Sequence, residues 1–288
     1  FEQVYHRGKP VSPVQEVGTS DKRGTIVRFK PDPEIFHQVL EYSYETLANR
    51  MRELSYLNKG IIITLEDRRN KDDKGEFIND TFHSKEGLKE LIKDKAIDPI
   101  TPPVYITGES EGFKVEASFQ FEKTTGERVF AYTNNIPNKE GGTHITGFKS
   151  AFTIAMNKYA RQYGFLDEKD ANLNGDLLRK GITLAVSIKM NKRPIFKSQT
   201  KSKLMTAEAR SAVSKLITAN FEKMVDKKTI KSVVDRALIE QRAEEAAKRS
   251  REAAKKMASG GKDMKAIKDL PSKLTDCDDR NGELWLLE

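Results

Sequence analysis

Hydrophobic residues recur at helical spacing over residues 44–57, followed by a glycine and a run of isoleucines. The apolar positions of this segment are Leu47, Met51, Leu54 and Leu57. This spacing predicts an amphipathic helix that ends at a left-handed Gly60. Ile61–Leu65 is almost entirely apolar, which predicts a buried strand. Upstream, Thr25–Phe29 predicts a strand after two short turns.

Period-two alternation marks the middle of the chain, where Phe113, Val115, Ala117, Phe119 and Phe121 alternate with more polar residues. The alternation predicts a strand over 113–121. We expect Val129–Tyr132 to pair with it. Helical spacing then resumes after Gly142, and residues 181–188 predict another buried strand.

Two helical patterns occupy the C-terminal third, over 207–225 and about 228–257. The second is strongly charged with a narrow apolar seam, which is typical of a helix that bridges domains or packs on a partner. Its Lys/Arg run from Arg242 to Lys256 alternates with glutamates, which favours a solvated, self-paired face over a DNA-binding one. The mixture of strands and helices predicts an α+β fold.

The composition and net charge indicate the chemical class of partner that the chain binds and its cellular setting. The 288 residues carry a formal net charge of +8 with a pI near 9.3, which favours an acidic partner such as nucleic acid or nucleotide. One cysteine, Cys277, excludes an internal disulfide and favours a reduced, cytoplasmic setting. No apolar run is long enough to span a membrane. Because both ends fall inside strand-like segments, we expect a piece of a longer polypeptide.

The most informative chemistry lies in the basic loop Gln199-Thr200-Lys201-Ser202-Lys203-Leu204, between a strand pattern and a helix pattern. A lysine at a loop tip can contact a terminal phosphate, and a glutamine amide can donate to the same oxygens. So short a match favours an ordinary solvated loop when taken alone. His144, beside two glycines at a helix start, has no second ligand at metal-binding spacing, which favours a structural role over catalysis.

Four segments in order resemble the B subunit of bacterial type IIA DNA topoisomerases, the family of gyrase and topoisomerase IV. They are Thr25–Phe36, Leu54–Gly60, Gly141–Lys149 and Leu270–Cys277. The resemblance runs over essentially the whole chain. It implies the end of a GHKL-type ATPase domain over 1–30 and a ribosomal protein S5 domain 2-like transducer domain with a long C-terminal helix over 31–258. It further implies a linker and first Toprim strand over 259–288.

The resemblance also implies roles for single residues. Gln199 and Lys201 match the residues that reach the γ-phosphate of ATP in the preceding domain. Glu288 matches the Toprim glutamate that supports Mg²⁺-dependent DNA cleavage, and Lys273 matches a basic position near DNA. The family commonly has glycine where this chain has Ser198, and often Leu-Gly-Asn where it has Leu204-Met205-Thr206.

The function implied is ATP-dependent DNA strand passage, with DNA, an A-type subunit and a second B subunit as partners. A stand-alone truncated homologue that binds a topoisomerase or DNA is the alternative, and the strand-like end at Glu288 argues against it. A mismatch-repair or chaperone relative with a similar lysine loop is a third interpretation. The Toprim-like segment Leu270–Cys277 argues against that one.

Overall fold

A computed structural model describes residues 1–37, 41–71 and 73–259. The chain divides into two compact units, Phe1–Glu90 and Leu91–Glu288. This division by contacts falls at Glu90, and the domain end at residue 30 that the family resemblance implies stays a prediction. The first unit extends past residue 30 because residues 44–83 form a helix and two strands that contact one another.

The first unit contains two antiparallel hairpins and a helix. Its elements are β1 (Tyr5–His6), β2 (Lys9–Pro10), α1 (Tyr44–Leu57), β3 (Ile62–Lys71) and β4 (Phe77–His83). β1 pairs with β2 and β3 pairs with β4, while α1 packs on the second pair. Ser43 caps α1, since its Oγ accepts from the Thr46 N–H, and Gly60 adopts the predicted left-handed conformation with φ of 89°.

One strand prediction in this unit is wrong, and a second is right about the strand but wrong about its burial. Thr25–Phe29 forms no strand, and Ile26, Val27 and Phe29 are exposed. Ile61–Leu65 does lie largely within β3, but Ile62 is 68% exposed, so the strand is not buried. A run of apolar residues specifies neither a partner strand nor a covering layer, and both were needed for these predictions.

A mixed sheet forms the centre of the second unit. Its strands are β5 (Val104–Ser110), β6 (Phe113–Phe121), β7 (Arg128–Thr133), β8 (Ile136–Pro137) and β9 (Ile182–Met190), in the order β5-β6-β9-β7-β8. β6 matches its predicted bounds. The expected pairing of Val129–Tyr132 with β6 is wrong, because β9 lies between them and pairs antiparallel with β6 and parallel with β7.

Helices pack on this sheet and on one another. They are α3 (Thr143–Gln162), α4 (Gly175–Leu178), α5 (Glu208–Met224) and α6 (Lys227–Ser259), preceded by α2 (Leu88–Lys95), which spans the division between the units. The rings of Phe119 on β6, Phe148 and Phe152 on α3, and Phe221 on α5 form one aromatic core. The helix predicted after Gly142 is therefore confirmed as α3, with Phe148 and Phe152 buried, and the mixed α/β architecture is confirmed.

Helix α6 has two different halves. In the first, the Arg236 guanidinium donates to the carbonyls of Glu122 and Lys180, and the Lys180 ammonium lies 2.7 Å from Glu240. In the second, residues 242–255 are exposed. The structure thus confirms a solvated second half. In residues 1–37, 41–71 and 73–259, no helix combines the length and apolarity that crossing a lipid bilayer requires.

Candidate functional site

The ends of two parallel strands create the site. Because β7 and β9 are parallel neighbours, the segments that follow them emerge at the same edge of the sheet. Asn134 joins these ends: its Nδ2 donates to the Met190 carbonyl at 3.0 Å and its Oδ1 accepts from the Met190 N–H at 2.8 Å. The glycine-rich segment and the basic loop are far apart in the sequence but therefore lie together in the fold.

The glycine pair packs directly against the end of the loop. The Leu204 N–H donates to the Gly141 carbonyl at 3.0 Å, and the Thr143 N–H donates to the Leu204 carbonyl at 3.1 Å. A Cβ on Gly142 would lie 2.4 Å from the Leu204 carbonyl oxygen, and the φ of Gly142 is 147°. This contact explains why the chain has glycine where α3 begins.

Two threonines complete what we call the loop base, residues 141–143 together with 195–196 and 204–206. The Thr143 hydroxyl donates to the Thr206 carbonyl at 2.7 Å, and the Thr206 hydroxyl accepts from the Ile195 N–H at 3.0 Å. Leu204 is fully buried, and Thr206 is buried as well. The base is thus hydrogen-bonded to α3 rather than resting in solvent.

His144 lies beside this base and is fully buried. Neither ring nitrogen has a hydrogen-bond partner among the described residues. Burial lowers the pKa of His144 to about 3, so the ring is neutral at physiological pH. A solvent-excluded neutral imidazole fits the structural role expected from the sequence.

The loop tip, residues 198–201, has the opposite character. Gln199, Thr200 and Lys201 are all exposed. The Lys201 N–H donates to the Ser198 carbonyl at 3.1 Å, which closes a tight turn, and the Ser198 and Thr200 hydroxyls are 2.7 Å apart. The serine that replaces the family's usual glycine therefore takes part in the turn. Gln199 and Lys201 lie two residues apart on it.

Two residues that hold this tip were missed by sequence reasoning. The Asn138 Nδ2 donates to the Lys201 carbonyl at 2.7 Å. The Glu140 carboxylate accepts from the Ser202 hydroxyl at 2.7 Å and lies 3.4 Å from the Lys197 ammonium. The Ser202 bond and then the Lys197 charge lower the pKa of Glu140. In the sequence, Asn138 and Glu140 are distinguished only by lying next to the Gly141-Gly142 pair. That position does not show whether a residue contacts a distant loop or only forms part of a turn.

The field around the tip is cationic. Lys192, Arg193, Lys197 and Lys201 are exposed within ten residues of one another, and the Glu140 carboxylate contacts this group through Lys197. Exposed ammonium and guanidinium groups attract a polyanion, and an amide donor adds direction to the contact. The donor set at the tip fits a phosphate.

The other predicted site residues are not placed. Lys273 and Glu288 lie outside the described residues, as does the predicted Toprim strand. Among the residues that the structure describes, no three histidine, cysteine, aspartate or glutamate side chains form a group that could hold a metal ion. The predicted Mg²⁺ site, which rests on Glu288, stays a prediction.

The chain is similar to known proteins of one family. The family model described as DNA gyrase B matches residues 84–253. The gyrase B protein of Clostridium acetobutylicum is 40% identical over 98% of this chain, and that of Bacillus mycoides is 37% identical over 99%. The crystal structure of the 43K ATPase domain of Thermus thermophilus gyrase B, in complex with an aminocoumarin, superposes with a TM-score of 0.71 at 30% identity. That match covers 87% of this chain and 68% of the solved one.

A five-stranded mixed sheet with helices packed on it defines the class: an α/β protein. The chain belongs to the DNA gyrase B family. It spans 43% of the length of the Clostridium acetobutylicum relative and 70% of that of the Bacillus mycoides relative.

Proposed function

We propose that this chain is the energy-coupling part of an ATP-dependent type II DNA topoisomerase, in which Lys201 and Gln199 sense the terminal phosphate of ATP. The observation that carries the proposal is an exposed ammonium on a peptide that the rest of the fold holds in place. A charge whose backbone is fixed needs little reorganisation to meet a phosphate. Because the chain belongs to the DNA gyrase B family, we infer that the reaction served by this contact is ATP-dependent DNA strand passage.

The proposed mechanism follows from the loop's two parts. The Lys201 ammonium and the Gln199 amide hold the γ-phosphate, and hydrolysis removes the group that they hold. Since the loop base is hydrogen-bonded to the start of α3, displacement of the tip acts on a packed helix rather than on a free loop. The aromatic core joins α3 to α5, and α6 continues beyond it. Motion of these helices would move the DNA gate.

Two domains carry this proposal. The family resemblance assigns residues 1–30 to the end of the GHKL-type ATPase domain and 31–258 to the S5 domain 2-like transducer, whereas the compact units divide at Glu90. The start of a Toprim domain over 259–288 rests on the family resemblance alone. So do binding of Mg²⁺ through Glu288, DNA contact at Lys273, and association with an A-type subunit and a second B subunit.

Lys201→Ala in the complete polypeptide, assayed with its A-type partner and DNA, tests the proposal. Loss of a preorganised cation facing the transferred phosphate should lower ATP turnover by about 10²-fold and abolish ATP-dependent strand passage. Lys169→Ala is the matched control, because it removes one exposed loop lysine charge that lies outside the cationic group around the tip. Equal activity in the two variants would contradict phosphate sensing by Lys201.

A further inference from the structure

The side-chain amide of Asn138 is buried, and both its oxygen and its nitrogen form hydrogen bonds. It is 2% exposed, although it lies in the loop between β8 and α3. Its Oδ1 accepts from the Thr133 hydroxyl at 2.6 Å, and its Nδ2 donates to the Lys201 carbonyl at 2.7 Å. Because Thr133 is fully buried on β7, the sheet orients the amide. The hydrogen-bond chain therefore runs from the core to the backbone of Lys201.

The backbone of Lys201 needs such support. Its φ is 57°, in the left-handed region that costs a residue with a side chain about 1 kcal/mol or more. The Lys201 N–H is bonded to Ser198 and its carbonyl to Asn138, so both sides of the residue are held. The side chain itself is exposed. The arrangement therefore fixes the backbone position from which the Lys201 side chain extends, and it leaves the ammonium group exposed.

We propose that Asn138 is a positioning residue for Lys201: it holds the left-handed backbone that directs the ammonium towards the phosphate. This inference rests on the proposed function for its consequence in catalysis. Glu140 acts at the next residue, through the Ser202 hydroxyl and backbone, from a partly exposed position. Asn138 differs because it is buried and bonds the sensing residue itself.

A double-mutant cycle tests whether Asn138 acts through Lys201. Asn138→Ala in the complete polypeptide should lower ATP turnover about tenfold, the equivalent of one hydrogen bond to a strained peptide. In the Lys201→Ala background the same substitution should change turnover by less than about twofold, because the group that it positions is gone. A tenfold loss in both backgrounds would overturn the proposal.

Controls separate positioning from folding. Thr133→Val removes the hydroxyl that orients the amide and should lower turnover in the same direction by a smaller factor. Asn220→Ala removes a comparable amide-to-carbonyl bond, to Leu216 within α5, and should leave turnover unchanged. If Asn138→Ala unfolds the protein, Thr133→Val carries the cycle instead.

Limited digestion with trypsin, followed by mass spectrometry, measures how firmly the loop is held when no nucleotide is bound. Cleavage after Lys201 should be faster in Asn138→Ala than in wild type or Asn220→Ala, at equal melting temperature. Unchanged cleavage would overturn the positioning role. If Lys201→Ala keeps full ATP turnover, the proposed function fails together with the catalytic consequence inferred here, and the cleavage rate alone then decides whether Asn138 holds the loop.

Discussion

The loop base and the loop tip lie only a few residues apart but differ in the burial of their side chains. At the base, Leu204 and Thr206 are buried and hydrogen-bonded to the start of α3, and Leu204 contacts a glycine that leaves no space for a side chain. At the tip, Gln199 and Lys201 project into solvent. A residue that must reach a ligand needs both, since only a fixed base can transmit what an exposed side chain detects.

Gly142→Ala should give the largest effect, because it attacks the base. Its Cβ would lie 2.4 Å from the Leu204 carbonyl oxygen and 2.6 Å from the Leu204 nitrogen, both in the backbone. We expect a loss of about 3 kcal/mol or more in the free energy of unfolding, measured by urea denaturation. Gly126→Ala, where the added Cβ meets open space, is the control and should change it by less than about 0.5 kcal/mol. Equal effects would refute the close packing.

The buried His144 should make the base sensitive to acid. Its folded pKa is lowered by burial to about 3, whereas the unfolded ring has an ordinary pKa near 6.5. Between these values the unfolded state binds the extra proton, so stability falls as the pH falls below about 6.5. At pH 5 the loss should reach about 2 kcal/mol relative to pH 8.

Thermal unfolding of wild type and His144→Leu over this pH range measures the effect. The variant should lose the His144 contribution while keeping the acid dependence of the remaining groups. Identical pH profiles for the two proteins would show that His144 is not buried as described.

Thr206→Val should have an intermediate effect. The change keeps the shape of the side chain but removes the acceptor for the Ile195 N–H. Loss of this hydrogen bond, whose acceptor residue is buried and whose donor residue is exposed, should cost about 1 kcal/mol in unfolding free energy. Thr218→Val, which removes an exposed hydroxyl bonded within α5, should change it by less than about 0.5 kcal/mol. A neutral Thr206→Val would indicate that the base is hydrated.

Substitutions at the tip should have the smallest effect on stability. Gln199→Ala and Lys201→Ala remove exposed side chains, so we expect the free energy of unfolding to stay within about 0.5 kcal/mol of wild type. Urea denaturation of both variants checks this. A large loss in either would mean that the tip is part of the fold and not a free sensor.

Local periodicity predicted the elements well. The helix at 44–57 and the strand at 113–121 have the bounds that their apolar spacing indicated, because side-chain period depends on the residues within each segment. The pairing of β7 was wrong and the strand at 25–29 does not form, because pairing depends on partners distant in the chain.

The site shows the same limit. Gln199 and Lys201 were found from the loop itself together with the family resemblance. Their contact with the glycine pair, and the roles of Asn138 and Glu140, depend on β7 and β9 being parallel neighbours. That adjacency brings together residues about sixty positions apart, which a pattern in one segment does not encode.

Phosphate sensing by the loop tip predicts that Lys201 contributes to binding of ATP but not of ADP. The most direct measurement compares the affinity of the complete polypeptide for a non-hydrolysable ATP analogue and for ADP, in wild type and in Lys201→Ala, by calorimetry. We predict that Lys201→Ala weakens analogue binding at least about tenfold, the loss of one charge-assisted hydrogen bond, and leaves ADP binding unchanged. Equal weakening of both nucleotides, or of neither, would contradict the claim.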